Sequence, residues 1–75
     1  MEITLTADFL GEEEEADLIE WVAADGSSVN EGDIICQFET SKLVNEFTAP
    51  IAGTLTHVAE EEDVVSLDET FAKIS

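Results

Sequence analysis

Displaced by 36 residues (58 − 22 = 36), the chain aligns with itself without a gap. Val22-Ala23 meets Val58-Ala59, Val29 meets Val65, and Ile35 meets Phe71. Cys36 meets Ala72, Phe38 meets Ile74, and the polar run Asp25-Gly26-Ser27 meets Glu61-Glu62-Asp63. Units this short cannot each enclose a core, so each must bury its apolar face against the other. Within both copies Val, Ile, Thr and Phe stand in short runs between turn-prone residues, and helical periodicity is hard to find. The expected fold is therefore all-β: a flattened β-barrel or sandwich of two small antiparallel sheets with pseudo-twofold symmetry. The 75 residues suit a single domain over 1–75. A chain of that size buries only about 60% of its unfolded surface, so the core has to be compact.

Along the chain, Ile3-Thr4-Leu5-Thr6 alternates and directs Ile3 and Leu5 inward. Residues 17–23 form a second strand-like run with the sole Trp, Trp21, for which partial core burial is expected rather than ligand stacking. Asp25-Gly26-Ser27-Ser28 is a turn signal. Ile34-Ile35-Cys36-Gln37-Phe38-Glu39 is the clearest strand, with Ile34, Cys36 and Phe38 assigned to one face. Residues 43–49 return from it. Pro50, with no N–H for a ladder, marks an edge or a turn. Further strands are expected at 54–59, 64–65 and 70–74. Before the second strand lies Gly11-Glu12-Glu13-Glu14-Glu15, where uncompensated glutamates disfavour a helix. A bare Glu run also lacks the alternating ligand spacing of a Ca²⁺ loop, so a solvated loop is expected.

Charge restricts the function. Two Lys and no Arg stand against nineteen acidic residues, a formal charge of 2 − 19 = −17. No basic cluster exists to displace counterions, which excludes nucleic acid and anionic membrane surfaces as partners. Self-repulsion on this scale favours a soluble monomer, and a partner bound by charge would be basic and salt-sensitive. No apolar run approaches the roughly 18 residues of a membrane helix. The N-terminus lacks the features of a secretion signal, and the one cysteine, Cys36, leaves no internal disulfide. A cytoplasmic setting is expected. Cys36 reads as core. His57, the only histidine, reads as a half-exposed packing residue, and no catalytic dyad or metal-ligand set accompanies it.

Lys42 then stands out. It follows Ser41 at the junction of two strand-like runs, flanked by Glu39 and Glu46. A lysine there neither fills a core nor joins a basic patch; it reads as an amine held into solvent for attachment. A free lysine has a pKa of about 10.4, so only about 0.04% is neutral at pH 7. An enzyme that acylates it must bring an activated donor and remove a proton, which demands an exposed lysine on a rigid turn.

The chain resembles the biotinyl/lipoyl attachment domains, above all the lipoyl domains of 2-oxo acid or acetoin dehydrogenase acyltransferases. Leu10-Gly11-Glu12 is similar to the family's first loop and Ile19-Glu20-Trp21 to its second strand. Gly26, Val29 and Gly32-Asp33 fit its turns, and Ala49-Pro50-Ile51-Ala52-Gly53-Thr54 fits the segment after the lysine. Glu39-Thr40-Ser41-Lys42 stands where lipoyl domains usually read Glu-Thr-Asp-Lys, so Ser41 departs from the commonest motif. Biotinyl domains carry Met on each side of the lysine, which Ser41 and Leu43 do not match.

The resemblance implies a non-catalytic swinging-arm carrier with lipoic acid joined covalently to Lys42, and with Glu39, Thr40, Ser41 and Leu43 recognised around it. It implies modification by a lipoate–protein ligase or lipoyl transferase. It also implies visits to decarboxylase, acyltransferase and dihydrolipoamide dehydrogenase components. Gly11, Glu12, Glu13, Glu14 and Glu15 are a candidate partner loop for the decarboxylase, against the expectation of plain solvation. A biotin carboxyl carrier domain and an unmodified acidic interaction module of the same fold are the alternatives.

Overall fold

The computed structural model describes all 75 residues, Met1–Ser75. Its strands are β1 (Glu2–Thr4), β2 (Glu15–Trp21), β3 (Ser28–Val29), β4 (Ile34–Glu39), β5 (Val44–Thr48), β6 (Gly53–His57), β7 (Val64–Ser66) and β8 (Thr70–Ile74). They make two four-stranded sheets, ordered β1-β8-β6-β3 and β5-β4-β2-β7, with every ladder antiparallel. Shifting each strand number by four converts one order into the other. The sheets pack as a flattened sandwich and do not close into a barrel.

The inward faces supply a core that is wholly apolar, with no buried polar or charged residue. Phe38, Phe71, Leu5, Leu18, Ile35, Leu55 and Ile74 are its largest fully buried members. Phe38 and Phe47 meet the Phe71 ring edge-on, with centroids at 5.0 and 4.9 Å, the favoured arrangement for aromatic quadrupoles. All nineteen acidic residues are thereby left outside the core, where water screens their repulsion.

The 36-residue repeat is written into the hydrogen bonds. Val22 and Ala23 N–H both donate to Ile35 O, and Val58 and Ala59 N–H both donate to Phe71 O. Asn30 N–H donates to the Asp33 carboxylate, as Ser66 N–H does to Glu69. Trp21 and His57 (57 − 21 = 36) are mates under the same operation. Their rings stack with centroids 3.7 Å apart and planes within 9°. Trp21 Nε1–H donates to Ala59 O at 3.1 Å, and His57 Nε2 pairs with Ala23 O at 2.9 Å. Trp21 N–H donates to Glu61 and His57 N–H to Asp25, each at 2.9 Å. These reciprocal bonds place the pseudo-twofold axis between the two rings, both half-buried as expected.

Two expectations need correction. Ile34 does not share a face with Cys36 and Phe38: the β4–β5 register shifts between Ile34 and Cys36, so Ile34 turns outward and Ile35 is fully buried. A β-bulge inserts one residue and breaks strict alternation. The repeat already hinted at this, because it aligns Ile35 with the buried Phe71. The second correction is a single helical turn, α1 (Ala7–Leu10), capped by Thr6, whose Oγ1 accepts from Phe9 N–H at 3.3 Å. Four residues are too few to show a 3.6-residue period. This turn buries Leu10 and sets the Phe9 ring against Phe38 and Phe47 at 5.7 and 5.1 Å.

Candidate functional site

β4 and β5 form a hairpin whose last ladder pair is Glu39↔Val44. Beyond it Thr40 N–H donates to Leu43 O at 2.9 Å, leaving Ser41 and Lys42 as the tip. The Thr40 hydroxyl closes the neck. It donates to Leu43 O at 3.3 Å, and Oγ1 lies 3.4 Å from the donating N–H groups of both Lys42 and Leu43. Neither tip residue has a positive φ. The turn therefore does not need the Asn-Gly pair of a type I′ hairpin. The signal that a tight turn forms here sits in Thr40 rather than in the tip dipeptide.

Lys42 projects from this neck with its side chain 68% exposed. Its ammonium lies 3.7 Å from Glu12 Oε2, and that carboxylate is itself 93% exposed. A pair this open contributes little to stability and holds the amine only loosely. The backbone under Lys42 is thus fixed while its side chain can swing. At Nζ an acyl group would displace only the exposed Glu12 carboxylate. Leu43 and Val44, each about half exposed, form an apolar shoulder beside the lysine, and Glu39 is exposed at the neck.

The acidic run divides into separate roles. Glu12 faces Lys42, and Glu13 accepts a hydrogen bond from the Ser41 hydroxyl. Glu14 offers its carbonyl to Leu67 N–H at 2.9 Å, and Glu15 already belongs to β2, paired with Ser66. Gly11 ends α1. The loop between β1 and β2 is therefore folded against the hairpin rather than simply solvated, and Glu13 is the one half-buried glutamate of the four. Sequence reasoning missed this Glu13–Ser41 contact, which spans 28 positions (41 − 13 = 28).

Lys73 makes a useful contrast. It lies within β8, laddered between Glu2 and Thr56, with no loop to present it. Under the pseudo-twofold, the hairpin's counterpart is the break between β8 and β1. There the Met1 amino group donates to Ile74 O at 2.7 Å. Lys42 thus sits at a hairpin tip, whereas Lys73 sits within a strand.

The biotin–lipoyl family model, described as "Biotin-requiring enzyme", matches residues 3–74. The dihydrolipoyllysine-residue succinyltransferase component of a 2-oxoglutarate dehydrogenase complex from Cupriavidus necator is 38% identical over 61 residues. That alignment takes in 80% of this chain but 15% of the relative. The acetyltransferase component of a pyruvate dehydrogenase complex from Staphylococcus aureus is 28% identical over 53 residues, 71% of this chain and 12% of that protein. The chain thus spans a small part of the length of these curated relatives. Among solved structures, the lipoyl domain of the 2-oxoglutarate dehydrogenase complex from Azotobacter vinelandii superposes with a TM-score of 0.78 at 25% identity. It covers 100% of this chain and 95% of that one.

Proposed function

This chain belongs to the family of biotin- and lipoyl-attachment domains, and we propose that within it the chain is a lipoyl carrier whose cofactor is joined to Lys42. The observation that carries the reading is the position of Lys42: an exposed amine at the tip of the β4–β5 hairpin of a two-sheet sandwich. The likeness to lipoyl domains across the full chain supports lipoic acid over biotin. Ser41 and Leu43, standing where biotinyl domains place Met, support the same choice.

The chain's own residues hold and present the amine. Thr40 and Leu43 close the neck, so the attachment point does not wander. The apolar shoulder at Leu43 and Val44 and the exposed carboxylates of Glu12 and Glu39 give a visiting enzyme shape and charge to recognise. When bound, the lipoyl group supplies a disulfide that is reductively acylated and later reoxidised; the protein lowers no barrier in that chemistry. Tethering raises the group's effective concentration at every active site within reach. The active sites it serves are those of a 2-oxo acid dehydrogenase complex: a decarboxylase, an acyltransferase and a dihydrolipoamide dehydrogenase.

A lipoate–protein ligase with lipoate and ATP tests this directly. Intact-mass spectrometry is expected to show one lipoyl group per chain, mapped to Lys42. Lys42→Arg keeps the charge and the fold and is expected to abolish the addition, with a melting temperature unchanged within about 2 °C. A biotin mass after incubation with a biotin ligase, and no lipoyl mass with the lipoyl enzyme, would select the biotin reading. An unmodified lysine under both would select the interaction module.

A further inference from the structure

The run of glutamates beside the hairpin is uneven in one respect that the carrier reading does not use. Glu12, Glu14 and Glu15 are exposed, whereas Glu13 is half-buried and accepts from the Ser41 hydroxyl. Glu13 is itself anchored: its N–H donates to Leu10 O at 3.2 Å, and Leu10 is buried in the core. A connection therefore runs from the core through Leu10 and Glu13 to Ser41. Ser41 immediately precedes Lys42, so the peptide bond between them ties the lysine's backbone to this link. The Thr40–Leu43 bonds close the neck, and beyond it Thr40 reaches only the Lys42 N–H, at 3.4 Å, leaving Ser41 to its own side-chain contact. Of the two side-chain links from the tip to the body, the Lys42–Glu12 pair involves the reacting amine and vanishes when that amine is acylated. The Glu13–Ser41 link survives modification.

We propose that Glu13 is a positioning residue for the acylation of Lys42, acting through Ser41 to hold the tip in the orientation the modifying enzyme meets. This rests on the reading of Lys42 as the attachment lysine. In that step the neutral Nζ attacks the acyl carbon of an activated lipoyl donor, supplied by the enzyme from lipoate and ATP as a mixed anhydride. The C–N bond forms, the bond from the acyl carbon to the anhydride oxygen breaks, and the phosphate-bearing group leaves with the electron pair. Nζ gives up its proton to a base on the enzyme or to water. A bimolecular attack of this kind gains from a nucleophile held near its productive geometry. The pairing also explains why serine suits position 41 here. An aspartate there would set a second carboxylate against that of Glu13, whereas the serine hydroxyl donates to it.

The swap of partners is the decisive experiment. Steady-state lipoylation by a lipoate–protein ligase with lipoate and ATP is measured on Glu13→Ala, Glu13→Gln, Ser41→Asp and the exchanged pair Ser41→Asp/Glu13→Ser. Glu13→Ala and Ser41→Asp are expected to lose about tenfold in kcat/KM, the scale of one charge-assisted hydrogen bond. The loss should fall on KM, because the enzyme can still order the tip once it has bound. Glu13→Gln, which keeps the acceptor oxygen, and the exchanged pair should return close to the parent. Urea midpoints should stay level across the set, whereas a merely structural role would move them. Amide hydrogen exchange on the unmodified proteins provides a second readout: Lys42 and Leu43 should exchange faster in Glu13→Ala and regain protection in the exchanged pair. Equal rates and equal exchange in all variants would overturn the proposal. So would a Ser41→Asp defect that Glu13→Ser does not repair, since the enzyme would then be reading Glu13 itself. If the parent is not lipoylated at all, the carrier reading fails instead, and the exchange data alone decide whether the link orders the tip.

Discussion

At the level of single residues, the repeat is imperfect in an instructive way. Gly26 and Gly32 have φ values of 82° and 90°, and their mates 36 positions on are Glu62 and Asp68, with φ of 75° and 68°. The second copy therefore places side chains in the left-handed region that glycine enters freely. The turns still form because their N–H groups are tied down: Glu62 donates to Leu18 O and Asp68 to Leu5 O. Relief of left-handed strain outweighs the extra freedom glycine gives the unfolded chain. Glu62→Gly is thus expected to stabilise by about 0.5 kcal/mol and Asp68→Gly by less, because Asp tolerates this region better. Urea midpoints measure both. Cys36 allows a second prediction. Burial pushes its thiol up to about 12 from the ordinary 9.0. Between those values the folded state binds the proton that the unfolded state has released, so stability falls as pH rises above 9. The limiting slope is about 1.4 kcal/mol per pH unit. The difference in unfolding free energy between the parent and Cys36→Ala should therefore shrink from pH 9 to pH 11 and stay flat below pH 8.

Among the elements, close approach is the recurring constraint. Gly53 opens β6 where a Cβ would stand 2.7 Å from both Ile74 Cγ2 and the Ser75 carbonyl oxygen. Gly53→Ala should thus wedge β6 away from β8 and cost about 1–3 kcal/mol, as overpacking of a filled site does. Thermal unfolding would show it, and an unchanged midpoint would mean the chain end moves aside. The bulge at Ile34 and its counterpart in the β1–β8 ladder, where the register shifts between Ile3 and Thr4, bend the strands at equivalent places in the two sheets. The hairpin extends from β4 beyond that bulge, so its direction depends on a local irregularity as well as on strand pairing.

For the molecule as a whole, electrostatics opposes the fold that packing creates. A formal charge of −17 on a body of 31 × 20 × 17 Å places many like charges within about one Debye length at 0.1 M salt. Stability should rise with sodium chloride, with the melting temperature increasing by about several degrees from 10 mM to 0.5 M salt. A flat response would show that the carboxylates are spaced widely enough to ignore one another. The same field would attract a basic partner to the end that carries Lys42, where Glu12, Glu13 and Glu39 cluster.

The repeat, the two small sheets and the exposure of Lys42 were all legible in the residues. Each follows from local pattern: strand alternation, turn-forming clusters, and a lone cation placed where no core position could be. Hidden from that pattern were contacts between distant segments. Trp21 and His57 gave no sign that they would stack across an axis, because each reads alone as an ordinary packing residue. The helical turn at Ala7–Leu10 was too short to show a period. Glu13 looked like its neighbours until the fold brought the loop beside the tip and turned one of four equivalent glutamates toward Ser41. Side-chain period depends on neighbours in the chain, whereas the partner of a side chain depends on which segments the core draws together.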